Sequence, residues 1–232
     1  MIIINHDVIL GKIRGCYNVF EQHFQCHLHK FFNISIVVCP IICSTKRTAI
    51  KKYKGGVSDY KKIKKELSLI SKRHPNEYVT TMFDYYAMPC DTPGICNNEP
   101  DINVRIKQIE QKIDADIGQR NCNFHFMLHE FEGILFSKPD SFALIANEDV
   151  VNKIKEIRDK YQTPEHINNF PKTAPSKILE KLIPNYSKVT NGTLLSKEMG
   201  INIIMEQCPH FREWIQGIAH LCTKTDKCTF GT

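Results

Sequence analysis

Two periods of hydrophobic residues run along this chain and predict most of its elements. Val57, Tyr60, Ile63, Leu67 and Ile70 recur every three or four residues, which predicts a helix ending near His74 and Pro75. Val104, Ile106, Ile109 and Ile113 predict a second helix over about 102–117 with those side chains inward. Val19, Phe20, Phe24, Leu28, Phe31 and Phe32 fit another, over 18–32. Between them lie short β-branched or aromatic runs: Ile2-Ile3-Ile4, the continuous stretch 34–43, then 78–83 and 123–128. A continuous apolar run of this kind suits a strand buried on both faces, and Pro40 marks a bend or edge. The alternation of strand and helix predicts an α/β fold, a parallel sheet flanked by helices. Beyond Phe136 no strand is evident. Stretches 139–146, 148–161, 176–183, 192–199 and 209–221 read as helices separated by Pro and Gly, an all-helical C-terminal lobe. The expected division is therefore residues 1–136, an α/β domain, and 137–222, a helical lobe packed on it. A disordered tail is expected over 223–232.

Composition narrows the class. With 232 residues, 42% hydrophobic and 24% charged, the chain suits a folded globular protein rather than a disordered one. No apolar run reaches the roughly 20 residues that span a bilayer, and the first residues carry no basic leader, so a cytoplasmic protein away from the membrane is expected. The 10 cysteines form no Cys-x-x-Cys knuckle. Cys26-His27-Leu28-His29 can put ligands on one helix face, but no second cluster matches it. Reduced, buried cysteines are the better reading.

Charge changes the picture more. From Thr45 to Arg73 stand eleven Lys and Arg against Asp59 and Glu66, a local +9 in a chain whose total is +6. Such a segment can follow a phosphate backbone, and it can equally be a solvated helix face with a Lys-rich loop. Lys54, Lys61, Lys62, Lys64 and Lys65 are its candidate nucleic-acid contacts.

Acids at predicted strand ends supply the candidate chemistry, because ligands of parallel sheets bind beyond the carboxyl ends of the strands. Asp84 follows one strand; His129, Glu130 and Glu132 follow the next. If the strand continues, Glu130 and Glu132 share a face; if a helix begins, His129 and Glu132 do. Hard oxygen ligands suit Mg²⁺ or Mn²⁺, which leaves Asp84, Glu130 and Glu132 as metal ligands and Asp84, Glu130 and His129 as catalytic candidates. A strand-end Asp also caps turns, and a Glu beside Gly133 also sits in solvent. No P-loop, dinucleotide fingerprint, nucleophile elbow or His-Glu-x-x-His motif occurs, so an ATPase, a Rossmann dehydrogenase and a zincin are not expected.

Five strings occur in order: Lys54-Gly-Gly-Val-Ser-Asp-Tyr60, Val79-Thr-Thr-Met-Phe-Asp-Tyr-Tyr86, Leu128-His-Glu-Phe-Glu-Gly-Ile-Leu-Phe136, Thr173-Ala-Pro-Ser-Lys177 and Cys208-Pro-His-Phe211. From about Asn33 to Leu221 the chain resembles the bacterial and archaeal domain-of-unknown-function family 4276. The resemblance implies a TOPRIM-like fold and a Mg²⁺-dependent nuclease subunit, working in a mobile-element or antiphage-defence system with an ATPase partner. Asp84 would be the later metal-binding acid, with Glu130 or Glu132 adding another. The family's first acid, in Val-Glu-Gly-x-Thr-Glu, is replaced by Arg14, which reverses the charge at an ion. Glu21 substitutes for it, or the chain start is altered, or the protein is a catalytically inactive module that binds nucleic acid or a partner. Lys177 and Arg212, with His210, are further candidate phosphate contacts. Pro175 also suits a helix start, and His210, Phe211 and Trp214 suit a packed core.

Overall fold

The computed structural model describes residues 2–4, 7–8, 37–40, 59–167 and 173–226. The helix expected over 18–32 lies outside the described residues, as do Arg14, Glu21 and Lys54. The described residues form two compact units that divide between Phe126 and Met127.

The first unit holds a five-stranded sheet. Its strands are β1 (Ile2–Ile4), β2 (Asp7–Val8), β3 (Val37–Pro40), β4 (Tyr78–Thr80) and β6 (Cys122–Asn123), in the order β2-β3-β1-β4-β6. The pairs β2–β3 and β4–β6 are parallel, as expected. The central strand is not: β1 runs antiparallel to both neighbours, with Ile3 opposite Cys39 on one side and Val79 on the other. The sheet is therefore mixed. An apolar run such as Ile2–Ile4 shows that a strand exists but carries no information about its direction.

Two helices follow from their patterns. Helix α1 (Tyr60–Arg73) buries Tyr60, Ile63 and Leu67. Its Tyr60 N–H is capped from a distant loop by the Asp91 carboxylate, at 3.1 and 3.2 Å. At the other end the Asn121 amide donates to the carbonyls of Ser71, His74 and Glu77, satisfying groups that a helix end leaves without partners. Helix α2 (Ile102–Ile117) has the predicted bounds. Asp101 caps it by accepting from the N–H groups of Asn103 and Val104. Gly118 closes it in the left-handed conformation, φ 64°, which glycine adopts without steric cost. Ile106, Ile109, Ile113 and Ile117 are buried, but Val104 is 42% exposed. At 100° per residue, position 104 lies on the side of the helix opposite that row.

The segments expected as single strands over 78–83 and 123–128 are each broken in two. Strands β5 (Phe83–Asp84) and β7 (Phe126–Met127) pair as a separate two-stranded sheet. The Thr81 hydroxyl sits at the break: it accepts from His125 N–H at 2.8 Å and donates to His125 C=O at 3.0 Å, replacing a backbone rung by a side chain. Phe83 stacks on Phe124 with ring centroids 5.3 Å apart, and Phe126 meets Phe124 edge-on at 4.8 Å.

From Phe131 onward the regular structure of the described chain is helical. Helices α3 (Phe131–Ile134), α4 (Glu148–Arg158), α5 (Pro175–Leu182), α6 (Thr190–Gln207) and α7 (Pro209–Asp226) alternate with 3₁₀ turns at Leu135–Ser137, Pro139–Leu144 and Pro164–His166. Their core includes Phe131, Leu135, Phe136, Phe142, Ile154, Leu179, Leu195, Phe211 and Ile215, and Trp214 is buried beside Phe211. Gly200, at φ 71°, breaks α6 into two helical segments, the first ending where expected. Helix α7 runs from Pro209 to Asp226. No helix among the described residues is long and apolar enough to cross a membrane.

Candidate functional site

The acids proposed from sequence fall into different units. Asp84 belongs to the first; it ends β5 and stands half-buried at the start of the 3₁₀ turn Tyr85–Ala87, with no cap bond from its side chain. His129, Glu130 and Glu132 belong to the second, and all three are buried.

The strand ends at Met127 and a helix begins only at Phe131, so His129 and Glu130 lie in the link between them and neither expected placement applies as stated. Glu130 is the extended N-cap residue of α3 and Glu132 lies in its first turn, where an acid is favoured by the helix dipole. A Cβ at Gly133 would come within 3.3 Å of the Pro164 carbonyl, a contact tighter than side chains usually make. Glu130 does not cap its own helix. Its Oε2 instead accepts from the N–H of Ser176 at 2.9 Å, in the first turn of α5. Pro175 at the first position of that helix contributes no N–H, so the Ser176 amide is the one presented.

Glu132 is fully buried, and Lys188 reaches it with Nζ 2.6 Å from Oε1; the Lys188 side chain keeps 35% of its surface exposed. Burial pushes the Glu132 carboxyl above the usual range and the charge of Glu130 adds to this, while Lys188 draws it back. Oε2 of Glu132 has no hydrogen-bond partner among the described residues. Among the described residues a buried acid thus stands beside the charge of a second acid and is countered by the Lys188 ammonium.

A third buried acid escaped the sequence reading. Glu165 accepts from His210 N–H at 3.0 Å and Phe211 N–H at 2.8 Å, capping the start of α7 with both oxygens. Burial raises its pKa, and the two amide bonds oppose the rise. His210 is buried, and the Arg212 guanidinium donates to the Met205 carbonyl at 3.1 Å, closing the end of α6. Lys177 is exposed and pairs with Glu180 one turn along its helix. Nothing local announces Glu165: its partners are 45 and 46 residues away.

In the first unit, carboxylates of α2 serve the backbone. Asp114 Oδ1 accepts from Phe124 N–H at 2.6 Å and Glu110 Oε1 from Phe126 N–H at 2.8 Å. Residues i and i+4 rise about 6 Å along a helix, close to the advance of about 6.6 Å over two strand residues. Helix α2 thereby occupies donors that a further strand would otherwise take. Burial lifts the Asp114 pKa to about 6, against the pull of the Phe124 and Asn123 hydrogen bonds. Glu110 also stands 3.5 Å from Nδ1 of the buried His125. The i, i+4 acids on α2 facing alternate strand residues were the sequence signal for this contact.

The basic segment resolves partly. Lys64 donates to Asp116 at 2.8 Å, which also accepts from the Tyr60 hydroxyl at 2.9 Å, and Lys64 holds the Asp116 carboxyl below its usual range. Lys62 lies 3.5 Å from Asp59. Lys61 and Lys65 are exposed.

These features are carried by a chain whose residues 21–219 match the domain of unknown function DUF4276, and the chain belongs to that family. No curated protein and no solved structure gives a significant match to it.

Proposed function

We propose that the chain is a divalent-cation-dependent nuclease subunit cleaving nucleic-acid phosphodiesters, with the acids of the Glu130–Glu132 turn as its ion ligands. The carrying observation is Glu132: fully buried, raised in pKa by burial and by Glu130, and countered by a single ammonium. Two clustered carboxylates favour a partner of higher charge than Lys⁺, and their hard oxygens suit Mg²⁺ or Mn²⁺. Glu130 keeps Oε2 on the Ser176 amide and offers Oε1; Glu132 offers its oxygens as Lys188 swings outward into solvent. When bound, the ion polarises a phosphoryl oxygen and lowers the pKa of a bound water. His129, which precedes Glu130 in the chain, is the imidazole assigned to carry the proton. The TOPRIM-like relation implied by the family resemblance and the basic helix α1 support a nucleic-acid substrate, and the same family resemblance extends the proposal to an ATPase partner in a defence or mobile-element system.

A second reading, a non-catalytic binding module, is favoured by the protein partners that Glu130 and Glu132 already have. Mn²⁺ titration calorimetry on the whole chain separates the two. The nuclease reading expects one site, lost in Glu132→Gln and tightened in Lys188→Gln, which removes the competing charge. No binding in either the wild type or Lys188→Gln would leave the module reading standing.

A further inference from the structure

Acids outside helix α1 pair with two of its six cations. Lys62 is held near Asp59 at 3.5 Å and Lys64 is bonded to Asp116 at 2.8 Å, so both charges are matched within the fold. Lys61, Lys65 and Lys72 are exposed. At 100° and 1.5 Å per residue these three lie within about 40° of one another around the helix and span roughly 16 Å along it. Glu66, the only acid of the helix, sits about 100° or more away from each of the three. The stripe is therefore a straight row of cations with no acid of its own helix along it.

We infer that the Lys61–Lys65–Lys72 row is a docking surface for a nucleic-acid phosphate backbone, read by charge and not by base sequence. The inference rests on the proposed nucleic-acid substrate and gives it a binding face. The complementarity is in the spacing: a strand of duplex presents one charge per 3.4 Å of axis, so a row of roughly 16 Å passes several phosphates and each ammonium can neutralise one. Contacts of this kind release counterions, and log K then falls with log salt by about 0.9 per phosphate neutralised.

The test is duplex binding by fluorescence anisotropy at a series of salt concentrations, with chelator present so that no cleavage occurs. The triple variant Lys61→Gln, Lys65→Gln, Lys72→Gln is compared with Lys64→Gln and with Lys153→Gln, Lys160→Gln, Lys181→Gln, which removes the same charge from exposed positions elsewhere. The row predicts a salt slope shallower by roughly 2–3 in the first variant and unchanged in the other two. An equal fall in both triple variants would reduce the effect to net charge and overturn the inference. So would wild-type chain that ignores duplex at low salt, or that binds vesicles containing anionic lipid through these lysines in its place. Because the readout needs no metal, a failed Mn²⁺ titration removes the nuclease reading and leaves this one intact.

Discussion

Asp114 offers the sharpest check on the electrostatics of the fold. Its pKa of about 6 lies above the ordinary 3.8, so the folded state holds the proton more tightly than the unfolded chain. For an acid with a raised folded pKa, stability from this group is fully present below about pH 3.8 and is lost as pH rises through 6. Integrated over that window the shift is worth about 3 kcal/mol, of which about 2 kcal/mol falls between pH 4.5 and 7. Asp114→Asn keeps an oxygen for the Phe124 amide and removes the ionisation. Urea denaturation of both proteins at the two pH values is the assay. The asparagine variant should gain about 2 kcal/mol relative to wild type on going from pH 4.5 to 7, whatever its absolute stability. Any cost of rearranging Asn123, which donates to Asp114 at 3.1 Å, is the same at both pH values and cancels. Parallel stability profiles would refute the assignment of a desolvated, proton-binding Asp114.

Three further outcomes follow from named contacts. Glu165→Ala leaves the His210 and Phe211 amides without their acceptor and should cost about 2–4 kcal/mol in chemical denaturation, whereas Glu165→Gln should retain part of that. Gly200→Ala meets no atom within 4 Å, so its cost is conformational alone: φ 71° with ψ 155° is a region essentially reserved for glycine, and the variant should be about 1–3 kcal/mol less stable, read as a lower melting temperature. Lys188→Gln leaves the buried Glu132 short of its counter-charge, and its stability should decline relative to wild type as pH rises above the ordinary Glu range, measured by thermal melts across pH.

Local patterns were enough for helices α1 and α2. Ile106, Ile109, Ile113 and Ile117 form one row because helical geometry repeats every 3.6 residues, and Asp101 and Gly118 end that helix through contacts within four residues of chain. Pro175 starting α5 and Gly200 breaking α6 are equally local, since each follows from the torsions one residue allows. Family membership was legible too, because short strings around Asp84 and His129 keep their order along the chain. Strand direction was not, since pairing between Ile3 and its partners Cys39 and Val79 joins residues far apart in sequence. The same limit applied to the acids. Glu130, Glu132 and Glu165 are all acids near an element start, and sequence can say no more than that. Only the folded chain assigns Glu130 to the Ser176 amide, Glu132 to Lys188 and Glu165 to the first turn of α7, because a carboxylate's role is set by which donor burial brings to it.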